Sequence, residues 1–194
     1  MSEAHEHMEH AEHAEHASGE NKKIAMLIAV LALFLSFSET LGKSAQTEAM
    51  DANVKSADTW AFFQAKTIRR TQVLTAATTL KLQAGSAADP QAKAAIDKQI
   101  DDWEKLAATY DSDPKSGEGR KELMEHAKAR EEERDLALAK YHNYELASAA
   151  FQVGIVLASA TLITGILQLA WFSGALGAIG LLMLLLGLFA PNVL

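Results

Sequence analysis

The sequence contains no cysteine and only three prolines among 194 residues. Without thiols, the chain has no disulfide framework, no thiolate metal site, no iron–sulfur cluster and no cysteine nucleophile. Charge is also missing from one part of the chain: every acidic and basic residue lies at or before Glu145, and residues 146–194 carry none. The net charge of −7, with no basic stripe interleaved with aromatic residues, argues against nucleic-acid binding. This segregation of charge also argues against a simple soluble domain.

A first apolar run extends from Ile24 to Phe37. As a helix it would be roughly 21 Å long, shorter than the hydrocarbon core of about 30 Å. The following residues as far as Leu41, together with snorkelling of Lys22 and Lys23, extend it enough to predict a first transmembrane helix over residues 21–42. A cleaved signal peptide is the alternative. Because the preceding stretch is acidic and histidine-rich and no Ala-X-Ala site follows, we expect an uncleaved signal anchor.

The uncharged region after Glu145 is too long for one membrane crossing. About 45 uninterrupted residues would make a helix of roughly 67 Å, twice the thickness that a bilayer covers. The sequence therefore predicts a transmembrane helical hairpin over residues 146–190, followed by a C-terminal end at 191–194. The residues predicted for its turn are Gln168, Trp171, Ser173 and Gly174.

Between these regions, residues 43–145 are rich in helix-forming residues, and proline is absent until Pro90. Asp89 and Pro90 suit a helix N-terminus, and a second helix is predicted from there to about Thr109. A turn-rich stretch then leads into a charged helix that meets no breaker before residue 146. Two heptad positions give a weak seam, as in a coiled coil, with several small or polar residues, and this seam alone is not expected to hold a strong dimer. The first position consists of Val54, Ala61, Ile68, Thr75 and Leu82, and the second of Ala57, Gln64, Thr71 and Thr78.

These elements predict an all-α membrane protein with about three transmembrane helices and a long, coiled-coil-like extramembrane insert at residues 43–145. Lys22 and Lys23 flank the first span on its N-terminal side and favour an N-terminus in the cytoplasm. With three spans, the insert and the C-terminus would then lie on the periplasmic or extracellular side.

The stretch from Asp58 to Arg69 reads DTWAFFQAKTIR, and it follows an EHAEHA tail and a first apolar helix. This arrangement resembles a bacterial family of small membrane proteins known as a domain of unknown function, serial four-three-three-seven. The resemblance covers the whole chain. It implies a protein of the bacterial inner (cytoplasmic) membrane and implies no catalytic activity.

The N-terminal tail, residues 1–20, is built from Glu-His-X triplets. Neighbouring histidines would pair at i and i+3 on a helix, each beside a glutamate, so Zn²⁺, Ni²⁺ or Cu²⁺ could bind there. Because spacing three drifts by about 60° per step on an α-helix, one closed site from all four is not expected. The alternative is an acidic, flexible or weakly helical tail with Glu–His contacts. The candidate ligands are His7, His10, His13 and His16; no other cofactor is expected.

Two sets of residues are candidates for packing. Trp60, Phe63 and Gln64 share a helix face and would pack against a returning helix or a neighbouring subunit. The alternative is that the basic residues beside them contact lipid headgroups or an acidic partner; these residues are Lys66, Arg69 and Arg70. In the C-terminal region, small residues recur on common faces, which in lipid marks helix–helix interfaces. They are Gly154, Ala158, Gly165, Gly174, Gly177 and Gly180.

Enzyme motifs are missing: the chain has no Walker A motif and no His-Glu-X-X-His, and Gly117-Glu118-Gly119 lacks the context of a nucleotide fingerprint. The C-terminal spans contain no ionisable residue, which disfavours ion-coupled transport. Glu39, near the end of the first span, is the one exception, and the alternative for it is an interfacial residue at the water boundary. The first hypothesis is therefore a non-enzymatic, homo-oligomeric membrane scaffold, whose small-residue faces and thin insert are covered by neighbouring copies. A metal- or pH-responsive sensor acting through the tail and a passive oligomeric pore are the alternatives.

Overall fold

The computed structural model describes the backbone of residues 3–85 and 89–193, and the side chains of residues 19, 21–85 and 89–193. Over these residues every regular element is helical and no strand occurs, so the predicted all-α class is confirmed. The elements are α1 (Glu3–Ala84), α2 (Pro90–Asp111), α3 (Arg120–Thr164), α4 (Leu167–Phe189) and a short 3-10 helix (Pro191–Val193).

Helix α1 runs unbroken for 82 residues. It has no proline and is rich in alanine, leucine, lysine and glutamate, all strong helix formers. The composition change near residue 43 therefore occurs inside a helix and not at its end. Helix α2 begins where the sequence predicts, because the Asp89 carboxylate accepts hydrogen bonds from the N–H groups of Gln91 and Ala92, with Pro90 at the first helical position.

The turn between α3 and α4 lies earlier than the sequence predicts. It is made by Gly165 and Ile166, and Gly165 has φ of +69°, a conformation that favours glycine. Gln168, Trp171, Ser173 and Gly174, the predicted turn residues, lie inside α4. The prediction was wrong because it assigned Gly165 to a helix–helix interface, whereas this glycine adopts a positive φ and ends α3.

Contacts divide the chain into two compact units, one formed by Met1–Glu48 with Leu136–Leu194 and the other by Ala49–Asp135. We call them the span unit and the insert unit. Among the described residues, three helical stretches are long and apolar enough to cross a membrane: Asn21–Ala84, Arg120–Thr164 and Leu167–Phe189. The number of predicted spans agrees with this finding.

The core of the span unit is formed by side chains from α1, α3 and α4. Phe151 is fully buried and stacks on Phe34, with ring centroids 5.9 Å apart. The Ser173 hydroxyl donates a hydrogen bond to the Gly154 carbonyl oxygen at 2.7 Å, which joins α4 to α3. The buried cluster around these contacts consists of Leu31, Ala45, Tyr144, Ala147, Phe151 and Leu184.

The insert unit buries mainly small side chains of α1. Ala49, Ala52 and Ser56 follow one another at spacings of three and four and are all buried. The predicted heptad seam is not part of this core: Val54 is 59% exposed, and the rest of its row is also exposed. Inside this unit α1 packs through small residues, which let helices approach closely.

Candidate functional sites and family

The predicted aromatic face of α1 lies inside the insert unit. Trp60 is half-buried, and its indole Nε1 donates a hydrogen bond to the Glu131 Oε1 on α3 at 2.9 Å. Its ring meets the ring of Phe63 edge to face, with centroids 5.3 Å apart. Gln64 is exposed. The structure therefore brings Trp60 and Phe63 into contact with each other and leaves Gln64 on the surface.

Two basic residues, Lys66 and Arg120, contact the aromatic rings of this unit. The Lys66 ammonium lies 5.0 Å from the Phe62 ring centroid and 5.7 Å from that of Tyr110, and it pairs with Glu118 at 3.4 Å. The Arg120 guanidinium lies over the Phe63 ring, 5.2 Å from its centroid. These contacts favour a packing role for the aromatic face over contact with lipid headgroups.

Asp111, at the end of α2, collects three cations. Its Oδ1 accepts a hydrogen bond from Arg120 Nη1 at 2.8 Å and lies 3.4 Å from Arg70 Nε, while its Oδ2 lies 3.4 Å from Lys121 Nζ. Partial burial raises the pKa of the Asp111 carboxyl, whereas Lys121, Arg70 and Arg120 lower it. Because the three cations together have the larger effect, the pKa of Asp111 lies below its usual range. The cluster ties α1, α2 and α3 together.

A second polar cluster closes the loop between α2 and α3. Glu122 accepts a hydrogen bond from the Ser112 hydroxyl at 2.6 Å and one from the Asp113 N–H at 3.2 Å. The Ser112 hydroxyl, followed by backbone N–H donors, lowers the pKa of Glu122. Gly119 is buried against this loop, since a Cβ at that position would be 2.6 Å from Ser112 Cα. The glycine that resembles a fragment of a nucleotide motif therefore serves close packing.

Most of the predicted small residues of the C-terminal helices lie at helix–helix contacts within the span unit. A Cβ on Gly154 would lie 3.3 Å from the Ser173 carbonyl oxygen, and one on Gly177 would lie 2.7 Å from Leu31 Cδ2. Ala158 is fully buried. Such close backbone approach is how small residues stabilise helices in lipid.

The remaining small residues divide into two groups. A Cβ on Gly180 would lie 2.8 Å from Phe151 Cε1, whereas Cβ atoms on Gly165 and Gly174 would meet no described atom within 4 Å. Gly187, which the sequence reasoning missed, also lies at a contact, against Tyr144. The available signal was its position seven residues after Gly180, on the same helix face.

Two further groups were singled out for chemistry. Glu39, the acid near the end of the first apolar run, is exposed and accepts a hydrogen bond from Gln152 Nε2 at 3.4 Å. His7, His10, His13 and His16 lie outside the residues whose side chains the structure describes, so metal binding by the tail stays a prediction. In the part that is described, no group of three His, Asp or Glu side chains could hold a metal ion.

Comparison with known proteins gives a family but no activity. Residues 20–190 match the family described as Domain of unknown function (DUF4337). No curated protein and no solved structure matches the chain. The matched residues include the DTWAFFQAKTIR stretch, whereas the EHAEHA tail precedes them. Because the match covers most of the sequence, the predicted family is confirmed, and the chain is a member of the DUF4337 family.

Proposed function

We propose that this protein is a non-enzymatic, homo-oligomeric scaffold of the bacterial inner membrane. One observation carries the proposal: a row of exposed apolar side chains on α1 of the insert unit. Val54 is 59% exposed, Ile68 57% and Leu82 75%, and each is two heptads from the next. Ala61 and Thr75, which lie between them in the same row, are exposed too.

The exposed side chains of this row are available for contact with another chain. The buried positions of α1 in the insert unit include Ala49, Ala52 and Ser56, so intrachain packing uses other positions. In a coiled coil, residues at two positions of each heptad meet the partner helix. This row supplies one position, and the exposed residues Ala57, Gln64, Thr71 and Thr78 supply the other. A second copy of α1 supplies that repeat, and closed assemblies of identical chains are the common form of oligomer. A coiled coil between inserts is therefore the proposed contact.

The membrane placement is supported by the span unit. Many of its large apolar side chains are exposed, among them Leu33, Phe37, Val156, Ile163 and Leu182, which suits a surface covered by lipid. Lys22 and Lys23 support a cytoplasmic N-terminus, which puts the insert in the periplasm. The spans would anchor the assembly, and the inserts would join its copies.

The test is native mass measurement of the full chain in mild detergent, supported by cross-linking. We expect a defined oligomer that Ile68→Glu converts to smaller species, because a buried carboxylate in the seam costs several kcal/mol. The matched control is Leu106→Glu, on α2, where an exposed leucine (40%) lies outside the row. A wild-type protein that is only monomeric, or an Ile68→Glu variant with the wild-type mass, would contradict the proposal.

The second candidate function is a metal- or pH-responsive sensor. The repeated Glu-His triplets of the tail favour it, because histidine both binds divalent metals and titrates near neutral pH. A passive oligomeric pore is the third, motivated by the uncharged C-terminal spans alone, and it predicts conductance across planar bilayers. The scaffold is preferred because it accounts for the exposed row on α1.

A further inference from the structure

We propose that the span unit binds one phospholipid molecule per chain in a groove between α1 and α4. The proposal rests on the membrane placement of the proposed function. The groove has a volume of about 620 Å³, within the range of roughly 300–1,000 Å³ that is typical of ligand pockets. One acyl chain would lie along the groove, and the lipid phosphate would lie beside Lys23.

The groove is apolar along its length and closed at one end. Ile24 and Leu27 line it from α1, and Leu167 and Trp171 line it from α4. Gly174 also lines it, and a Cβ there would meet no described atom within 4 Å. Three residues further along α4, at Gly177, a Cβ would be 2.7 Å from Leu31, so the two helices are in contact there. The space between α1 and α4 is therefore open at Gly174 and ends by Gly177.

The other end of the groove is cationic. Lys23 is its charged lining residue, whereas the neighbouring Lys22 is exposed outside the lining. Leu167 is the first residue of α4, and among the described residues no side chain caps that helix N-terminus, whose partial positive charge adds to that of Lys23. Trp171 is 77% exposed, as suits an aromatic side chain at the level of lipid headgroups.

This distribution of charge favours a phospholipid over other occupants. The ligand must be anionic at one end and apolar along the rest, which describes a phosphate joined to an acyl chain. A second copy of the chain seated in the groove would bury the Lys23 ammonium against apolar side chains, at a desolvation cost of several kcal/mol. A lipid phosphate instead pairs with that ammonium.

The experiment uses the full chain, delipidated in mild detergent and titrated with dioleoyl phosphatidylglycerol or dioleoylglycerol, with bound lipids counted by native mass spectrometry. Gly174→Leu places a side chain in the groove from a position where a Cβ meets no described atom within 4 Å. Its control is Ala178→Leu, an exposed position on the same helix outside the groove. Lys23→Gln removes the charge at the groove, and its control is Lys22→Gln one residue away.

We expect one phosphatidylglycerol per chain, bound about tenfold more tightly than dioleoylglycerol. Gly174→Leu should weaken it by about tenfold or more and Lys23→Gln by about fivefold, whereas each control stays within about twofold of the wild type. Equal binding by Gly174→Leu and Ala178→Leu would overturn the site, as would equal affinity for dioleoylglycerol. So would a Gly174→Leu variant whose oligomeric mass changes while its lipid binding does not, because a second copy would then occupy the groove.

The same spectra separate this inference from the scaffold. A chain that is monomeric yet retains one phosphatidylglycerol upholds the lipid site and contradicts the oligomer. An oligomer that binds no lipid at Gly174 upholds the oligomer and overturns the lipid site.

Discussion

The ring of Tyr144 lies directly against the backbone of Gly187, so that a Cβ at residue 187 would be 2.5 Å from the ring carbon Cε1 and 2.9 Å from Cδ1. The same relationship recurs between Phe151 and Gly180. The two aromatic residues are seven apart on α3, and the two glycines are seven apart on α4 in the opposite direction. Both pairs therefore belong to one antiparallel helix pair whose register the glycines fix.

Replacing Gly187 with alanine should destabilise the span unit. The added methyl group must displace the buried Tyr144 ring, and overpacking of this kind costs about 1–3 kcal/mol. The expected result is a lower midpoint of thermal unfolding in mild detergent, followed by circular dichroism.

The matched control for this variant is Gly174→Ala, because a Cβ there meets no described atom within 4 Å. Alanine is the better helix former by about 0.5–1 kcal/mol, so this variant should be as stable as the wild type or more stable. If the two alanine variants unfold at the same temperature, the proposed contact between Tyr144 and Gly187 is wrong.

Ser173→Ala should weaken the packing of α4 on α3 by a smaller amount. It removes the hydrogen bond from the Ser173 hydroxyl to the Gly154 carbonyl oxygen, and such bonds in membrane helices contribute about 0.6 kcal/mol on average. Unfolding in detergent measures the loss, with Ser36→Ala, an exposed serine of α1, as the control. A loss no greater than that of the control would show that this hydrogen bond contributes nothing to stability.

The indole of Trp60 and the carboxylate of Glu131 should be energetically coupled. Trp60→Phe keeps an aromatic ring but removes the donor of the 2.9 Å hydrogen bond, and Glu131→Ala removes the acceptor. In a double-mutant cycle we expect a coupling of about 0.5–1.5 kcal/mol, measured by denaturant unfolding. If the two substitutions change the free energy of unfolding additively, Trp60 and Glu131 are not coupled and this hydrogen bond does not contribute to stability.

The sequence predicts what depends on local signals. The cap at Asp89, the helical class and the close approach at Gly154 and Gly177 all follow from residue type and spacing. The burial of Ala49 in place of Val54 could not be predicted, because the choice of helix face depends on the partner helices.

Loop chemistry escaped prediction for a similar reason. Glu122 reads as one more acid on a charged helix, and only the folded loop places the Ser112 hydroxyl and the Asp113 N–H around it. Gly165 is one of several glycines in an apolar run, and nothing local marks it as the one with positive φ.

The insert unit should lose stability in acid. The folded-state pKa values of Glu122, Asp111 and Asp113 are all lowered, so their contribution is present above the unfolded pKa of about 4 and is lost as the pH falls through the folded values. The melting temperature should therefore be steady at neutral pH and fall below about pH 4. Glu122→Gln should reduce this fall, whereas Glu132→Gln, an exposed glutamate of the same helix, should keep it. A profile unchanged by Glu122→Gln would mean that the loop cluster does not carry the effect.

Metal binding by the tail is testable independently of the scaffold. If neighbouring Glu-His triplets supply ligands, calorimetry should show that the full chain binds Zn²⁺ more tightly at pH 7.5 than at pH 5.5. Histidine binds a metal as the neutral imidazole, so protonation of the imidazole, which has an ordinary pKa of about 6.5, competes with the metal. A variant lacking residues 2–17 should lose this binding. Undiminished binding by this variant would mean that the tail is not the site. Since the seam proposed for assembly lies on α1 beyond residue 50, the number of subunits in the oligomer of this variant should equal that of the full chain. A number of subunits that changes with Zn²⁺ only when the tail is present would instead favour the sensor.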